Sequence, residues 1–167
     1  MRSRELVTSL HAHLAAELKN YAFPDPSGTP HDCRVFLHGL PDTQDARTYP
    51  FVCVRWVDSG LEEDGDGAYV TETVTLILGV YAPESQEEAG ILLAELMDAV
   101  VGCVRRCRLL EHRFQRELPI RAAIPDPERQ WNQYHMATLT TTWQYAIPVT
   151  PLFEGGRSFT ELDWRRK

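Results

Sequence analysis

The residues with the best claim to chemistry sit in one acidic stretch. Asp58, Glu62, Glu63, Asp64 and Asp66 crowd into the run Asp-Ser-Gly-Leu-Glu-Glu-Asp-Gly-Asp-Gly, which ends at Gly67. Carboxylates at that density are what a hard cation such as calcium takes. The helix-loop-helix calcium pattern, however, needs a glutamate six positions after its glycine and a helix on each side. Here Asp64-Gly-Asp-Gly runs into Ala68, and both flanks read as strands. The stretch is expected to be a solvated hairpin loop, or an acidic rim at a protein interface.

Two other ligand spacings fail for geometric reasons. His11 and His13 fall in a leucine-periodic helix, where residues two apart are rotated by about 200° and cannot share an ion. Cys103 and Cys107 stand at i, i+4, but on the apolar stripe of a helix among leucine and valine, so they read as core thiols, as do Cys33 and Cys53. The sequence holds no Gly-x-Ser-x-Gly, no Gly-x-x-x-x-Gly-Lys and no His-Glu-x-x-His. No catalytic residue, metal ligand or cofactor is assigned, and the chain is read as non-enzymatic. The rival from another class is a small metal-dependent enzyme or metal-binding module built on Asp64, Asp66 and a histidine.

The net charge of −7 argues against sequence-independent binding to phosphate backbones, which relies on clustered Lys and Arg. No apolar run approaches the ~20 residues that span a bilayer, and the N-terminus leads into an amphipathic helix instead of the apolar core of a signal peptide. A reducing cytoplasm is therefore expected as the place of synthesis, with no membrane partner.

The elements that must position these groups follow from periodicity. Leu6, Leu10, Leu14 and Leu18 give a helix over residues 4–20. Three prolines between Phe23 and Pro30 make a connector, and residues 33–40 read as a short strand. Residues 49–57 form a strand that is apolar on both faces. In residues 69–82, Val70, Val74, Leu76, Leu78 and Val80 take one face, broken only by Glu72, while Thr71, Thr73 and Thr75 take the other. Ser85 followed by Glu88 is a capping box that opens a helix over about 86–110. Residues 112–118 read as a polar connection and 119–124 as a short strand. The run 134–149 repeats the division into an apolar and a threonine face.

The expected fold is α+β: a mostly antiparallel sheet of about four strands packed against the two helices. Residues 1–150 make one domain, and 151–167 make an extension that carries Phe153, Phe159 and Trp164.

The order of parts carries a resemblance. A Pro-rich connector leads to a strand entered as Tyr-Pro-Phe-Val-Cys-Val-Arg, then to the acidic hairpin and the strand Val-Thr-Glu-Thr-Val-Thr-Leu-Ile-Leu-Gly-Val-Tyr. A helix with Ala89, Leu92, Leu93, Leu96, Met97 and Val100 and a Trp-bearing, Thr-rich strand follow. Over residues 4–149 this resembles the tail terminator (tail-completion) proteins of long-tailed bacteriophages. The resemblance implies a virion protein, assembled in the host bacterial cytoplasm, that closes as a ring, typically a hexamer, on the end of the tail tube. The ring stops tube growth and offers the tail side of the head–tail joint. Its partners would be copies of itself, the tail tube protein and a neck or connector protein, with DNA passing through the lumen unbound. Another neck or head–tail joining protein is the alternative within this class. The family brings no catalytic residue. The segment after Pro151 departs from its pattern and is a candidate arm to a neighbouring subunit. Trp56, Thr71, Thr73, Thr75, Phe153, Phe159 and Trp164 are the candidate inter-subunit contacts.

Overall fold

The computed structural model describes residues 2–19, 21–24, 30–64, 67–83, 85–125 and 133–147. Helix α1 runs Ser3–Leu18, as its leucine period requires, and buries Leu6, Val7, Leu10, Leu14 and Leu18. Strands β1 (Ala22–Pro24) and β2 (Pro30–Asp32) pair as a small antiparallel ribbon. Then come β3 (Arg34–Leu37), β4 (Phe51–Asp64), β5 (Gly67–Tyr81), α2 (Gln86–Arg106), β6 (Leu109–Leu110), β7 (Phe114–Ala123) and β8 (Tyr134–Ile147).

The class is α+β, but the expectation of about four strands is corrected. The main sheet has six strands in the order β3-β4-β5-β8-β7-β6. Every neighbouring pair is antiparallel except β3 with β4. Three features separate the observed strands from the expected ones, in extent and in number. The acidic stretch is not a loop: β4 continues through it to Asp64, because its backbone pairs with β5 from Asp58↔Thr73 down to Asp64↔Gly67. Ladder hydrogen bonds and not side-chain polarity decide such a segment, and only the Gly65–Asp66 tip falls outside the described residues. Residues 114–118 of the supposed connection at 112–118 belong to β7, which pairs with β8 from Gln115↔Gln144 onward. Pro119 is tolerated there because the β7–β8 ladder is interrupted between Glu117 and Arg121. Finally, α2 ends at Arg106 instead of near 110: the backbone leaves the helical region at Cys107, and Leu109–Leu110 pair with β7.

Both helices lie on one face of the sheet. Val52, Val54, Val70, Val74, Leu76, Leu78, Leu139 and Trp143 meet Leu10, Leu14, Leu93, Leu96, Val100 and Cys103 there. The capping box forms as read, with Ser85 Oγ accepting from Glu88 N at 3.0 Å. The buried hydroxyl of Thr141 is satisfied: its Oγ1 donates to Val74 O and accepts from the Trp143 indole.

The opposite face is covered only at one end. Tyr49, Phe51 and Cys53 form a second cluster with Phe36, Ile77, Tyr81, Tyr134 and Met136. Gly79 is required beneath it, since a Cβ there would drive into the ring of the cross-strand Phe51. Among the described residues, nothing packs over this face from Thr75 toward Gly67.

Leu96 is fully buried at the centre of the helix–sheet interface. Leu96→Asp combines a lost leucine with an unpaired buried charge and is expected to cost about 4 kcal/mol or more, a large part of a domain's stability. Circular dichroism melting checks this; a variant as heat-stable as the wild type would show the assigned helix face to be wrong.

Candidate functional site

The sheet's alternation puts one carboxylate where none is tolerated without partners. Glu72 lies on the helix face of β5 and is fully buried. Its Oε1 accepts from Ser3 Oγ at 2.8 Å and from the Tyr145 hydroxyl at 3.3 Å, and its Oε2 accepts from the Trp56 indole at 2.6 Å. The Tyr145 oxygen in turn accepts from Arg2 N at 2.8 Å. Strand β4, strand β8 and the start of α1 therefore meet on one side chain. A buried carboxylate needs such donors, because isolated it would carry a large desolvation cost. The sequence marked Glu72 as the lone interruption of an apolar face. What it could not show was which donors converge there.

Trp56, read as an inter-subunit contact, is thus tied into its own fold through its N–H, while its ring stays 38% exposed. Beside it the β4–β5 register shifts, with Val57 extra on the β4 side, and Val57 and Leu61 are both exposed. Beyond Val54, no described strand pairs with the outer side of β4. Asp58 and Glu62 are exposed on this edge. Glu63 and Asp64 belong to the same strand; Asp66 lies outside the described residues, as do Phe153, Phe159 and Trp164. At the other side of the sheet, β6 covers only Phe114 and Gln115 among the described residues, leaving Leu118 on β7 and Ile124 past its end exposed; Leu109 is exposed on β6.

Thr71, Thr73 and Thr75 are half-buried on the open face, and Thr75 Oγ1 lies 3.4 Å from Thr140 Oγ1 of β8. The structure brings these threonines together with their β8 counterparts on one face, with Asp58 of the acidic stretch opposite Thr73.

His11, His13 and the cysteines are bonded or buried within the fold. His11 Nε2 lies 3.1 Å from Val35 O and His13 Nε2 lies 3.3 Å from Cys103 O. A carbonyl only accepts, so both rings donate from Nε2, one to the sheet and one to α2. Arg106–Glu17 at 2.7 Å and Arg113–Glu5 at 2.9 Å staple α1 at its two ends, and the Arg106 side chain holds the Glu17 carboxyl below its ordinary range. All four cysteines are buried free thiols, and burial pushes Cys33 up to about 12. Among the described residues no group of three or more His, Cys, Asp or Glu is placed to hold a metal, and no helix is long and apolar enough to cross a membrane. A groove of about 270 Å³ opens beside the start of α2; Ala89, Leu93 and Ile124 give it a largely aliphatic lining suited to an apolar side chain. No protein-family model and no curated protein sequence matches the chain.

Two outcomes test this account. Glu72→Ala leaves the Trp56, Tyr145 and Ser3 donors without their acceptor and is expected to cost about 2–3 kcal/mol in urea unfolding, with Glu72→Gln losing less. Equal stability of all three proteins would show the clamp to be energetically idle. For Cys33, the folded thiol titrates near 12 against 9.0 unfolded. Its contribution is therefore complete below pH 9 and lost as pH rises toward 12, at up to about 1.4 kcal/mol per pH unit. Cys33→Ala should flatten that alkaline loss, as read by denaturant unfolding at stepped pH.

Proposed function

We propose that this protein is a non-enzymatic assembly subunit that joins copies of itself side to side into a ring, and that the ring is a phage tail terminator seated on the end of a tail tube. The observation that carries the reading is the pair of unlike sheet borders. One border presents Trp56, Val57 and Leu61 beside an unpaired strand edge; the other presents Leu109, Leu118 and Ile124, with Leu118 as much as 77% exposed. A head-to-tail ring needs two different surfaces that fit each other, whereas a simple dimer needs one surface used twice. Exposed aliphatic groups flanking open edges are also what an isolated soluble domain tends to hide.

The ordered resemblance of residues 4–149 supports the tail-terminator form of the reading. The acidic balance of the chain suits a lumen through which DNA passes without being held. In this reading the tail tube protein and a neck protein bind above and below the ring.

Light scattering after size exclusion, and electron microscopy with polymerised tail tubes, test the proposal together. A six-fold assembly, alone or only at tube ends, is the expected result, and Leu118→Asp should abolish it while leaving the circular dichroism spectrum unchanged. A protein that stays monomeric and leaves tubes uncapped would refute the reading.

A further inference from the structure

The open face of the main sheet is written in ranks that run across its strands. Residues directly opposite in neighbouring strands share a face, so the register lines them up. Arg55 lies opposite Thr75, Thr75 opposite Thr140, and Thr140 opposite Arg121. One rank toward the hairpin tip, Asp58 lies opposite Thr73, Thr73 opposite Thr142, and Thr142 opposite Glu117. The first rank thus ends in a cation at each side and the second in an anion at each side. The bulge at Val57 is what brings Asp58 onto this face, because without the extra residue the alternation of β4 would turn it to the other. Among the described residues, none of these four charges is in an ion pair. Asp58 accepts only from the adjacent Ser59 N, and Glu117 from Gln115 Nε2.

We infer that this face binds the same face of a second copy, through a two-fold axis lying parallel to the ranks and midway between the basic and the acidic one. Rotation about that axis reverses the strand direction but keeps the order from β4 to β7. Arg55 of each copy then stands over Asp58 of the other, and Arg121 over Glu117, giving four cross-pairs from two kinds. The alternative two-fold, along the strands, sets Arg55 over Arg121 and Asp58 over Glu117, and like charges exclude it. On the flanking ranks Gly60, Thr71, Gln144 and Gln115 bring no charge, but Cys53 and Ile77, which they would meet, belong to the covered cluster, so the contact is centred on the two charged ranks. The central threonines are short enough to let two sheets approach to the usual separation of about 10 Å.

The two charged ranks on four strands span about 19 by 14 Å, or about 270 Å² on each copy and about 540 Å² together. That is below the size of a standard specific interface, so the contact is weak and strongly salt-dependent. It rests on the open face alone and not on the ring of the preceding section. Were copies also joined laterally, the same contact would stack two rings.

The test is a charge exchange read by sedimentation velocity at low salt, with wild-type protein loaded up to about 500 µM. Arg55→Glu with Arg121→Glu makes the face wholly acidic, and Asp58→Lys with Glu117→Lys makes it wholly basic. Each double variant is expected to lose the association, and an equimolar mixture of the two to regain it. If the wild type forms rings as well, each variant should halve the mass of a double ring and leave the single ring whole. All four side chains are at least partly exposed, so folding is expected to survive; Arg55→Gln with Arg121→Gln serves if circular dichroism shows otherwise. A wild type with no face-dependent association, variants that associate as it does, or a mixture that stays apart would each overturn the inference.

Discussion

Everything in this fold depends on the register between β5 and β8. The two strands pair from Ala68↔Ile147 to Tyr81↔Tyr134, and each alternates between a side chain under the helices and one on the open face. A slip of one residue would send either Leu76 and Leu78 or Leu139 and Trp143 into solvent and bring that strand's threonines beneath α1 and α2. The remaining elements attach to this pair: β4 and β7 on its flanks, the helices on its apolar side.

Glu72 is where that alternation is exploited and not merely obeyed. An aliphatic residue there would pack the same face, but would not draw the Trp56 indole, the Tyr145 hydroxyl and Ser3 to one point. The network fixes where α1 begins over the sheet, which apolar packing alone specifies loosely because a leucine stripe can slide. Glu17–Arg106, Glu5–Arg113 and the two histidine bonds hold the same helix, yet most of those groups are partly wet and individually weak.

The parts legible in the sequence were those governed by local rules. The leucine period set α1, Ser85 and Glu88 set the start of α2, and the Val/Thr alternation set the two faces of β5 and β8. What stayed hidden was decided at long range. The acidic run looks like a loop until β5 supplies a ladder for it, and residues 112–118 look like a connection until β8 does the same. Leu109 and Leu110 fit a helix stripe until β7 recruits them. Among the candidate contact residues, Thr71, Thr73 and Thr75 share the face that their alternation required, while the bond from the part-exposed Trp56 to Glu72 carried no local signal. Nor did the shared alignment of Arg55, Asp58, Glu117 and Arg121, which exists only once four strands are in register and the Val57 bulge has shifted one of them.

That bulge has a consequence for how the protein can change. The helix side of the sheet stores the instructions for folding. Toward the hairpin tip, the opposite side holds side chains that make few contacts within the subunit. Substitutions among Arg55, Asp58, Glu117 and Arg121 therefore leave the fold nearly indifferent while rewriting what the surface recognises, and a lineage can drift to a new partner there without first passing through an unstable intermediate.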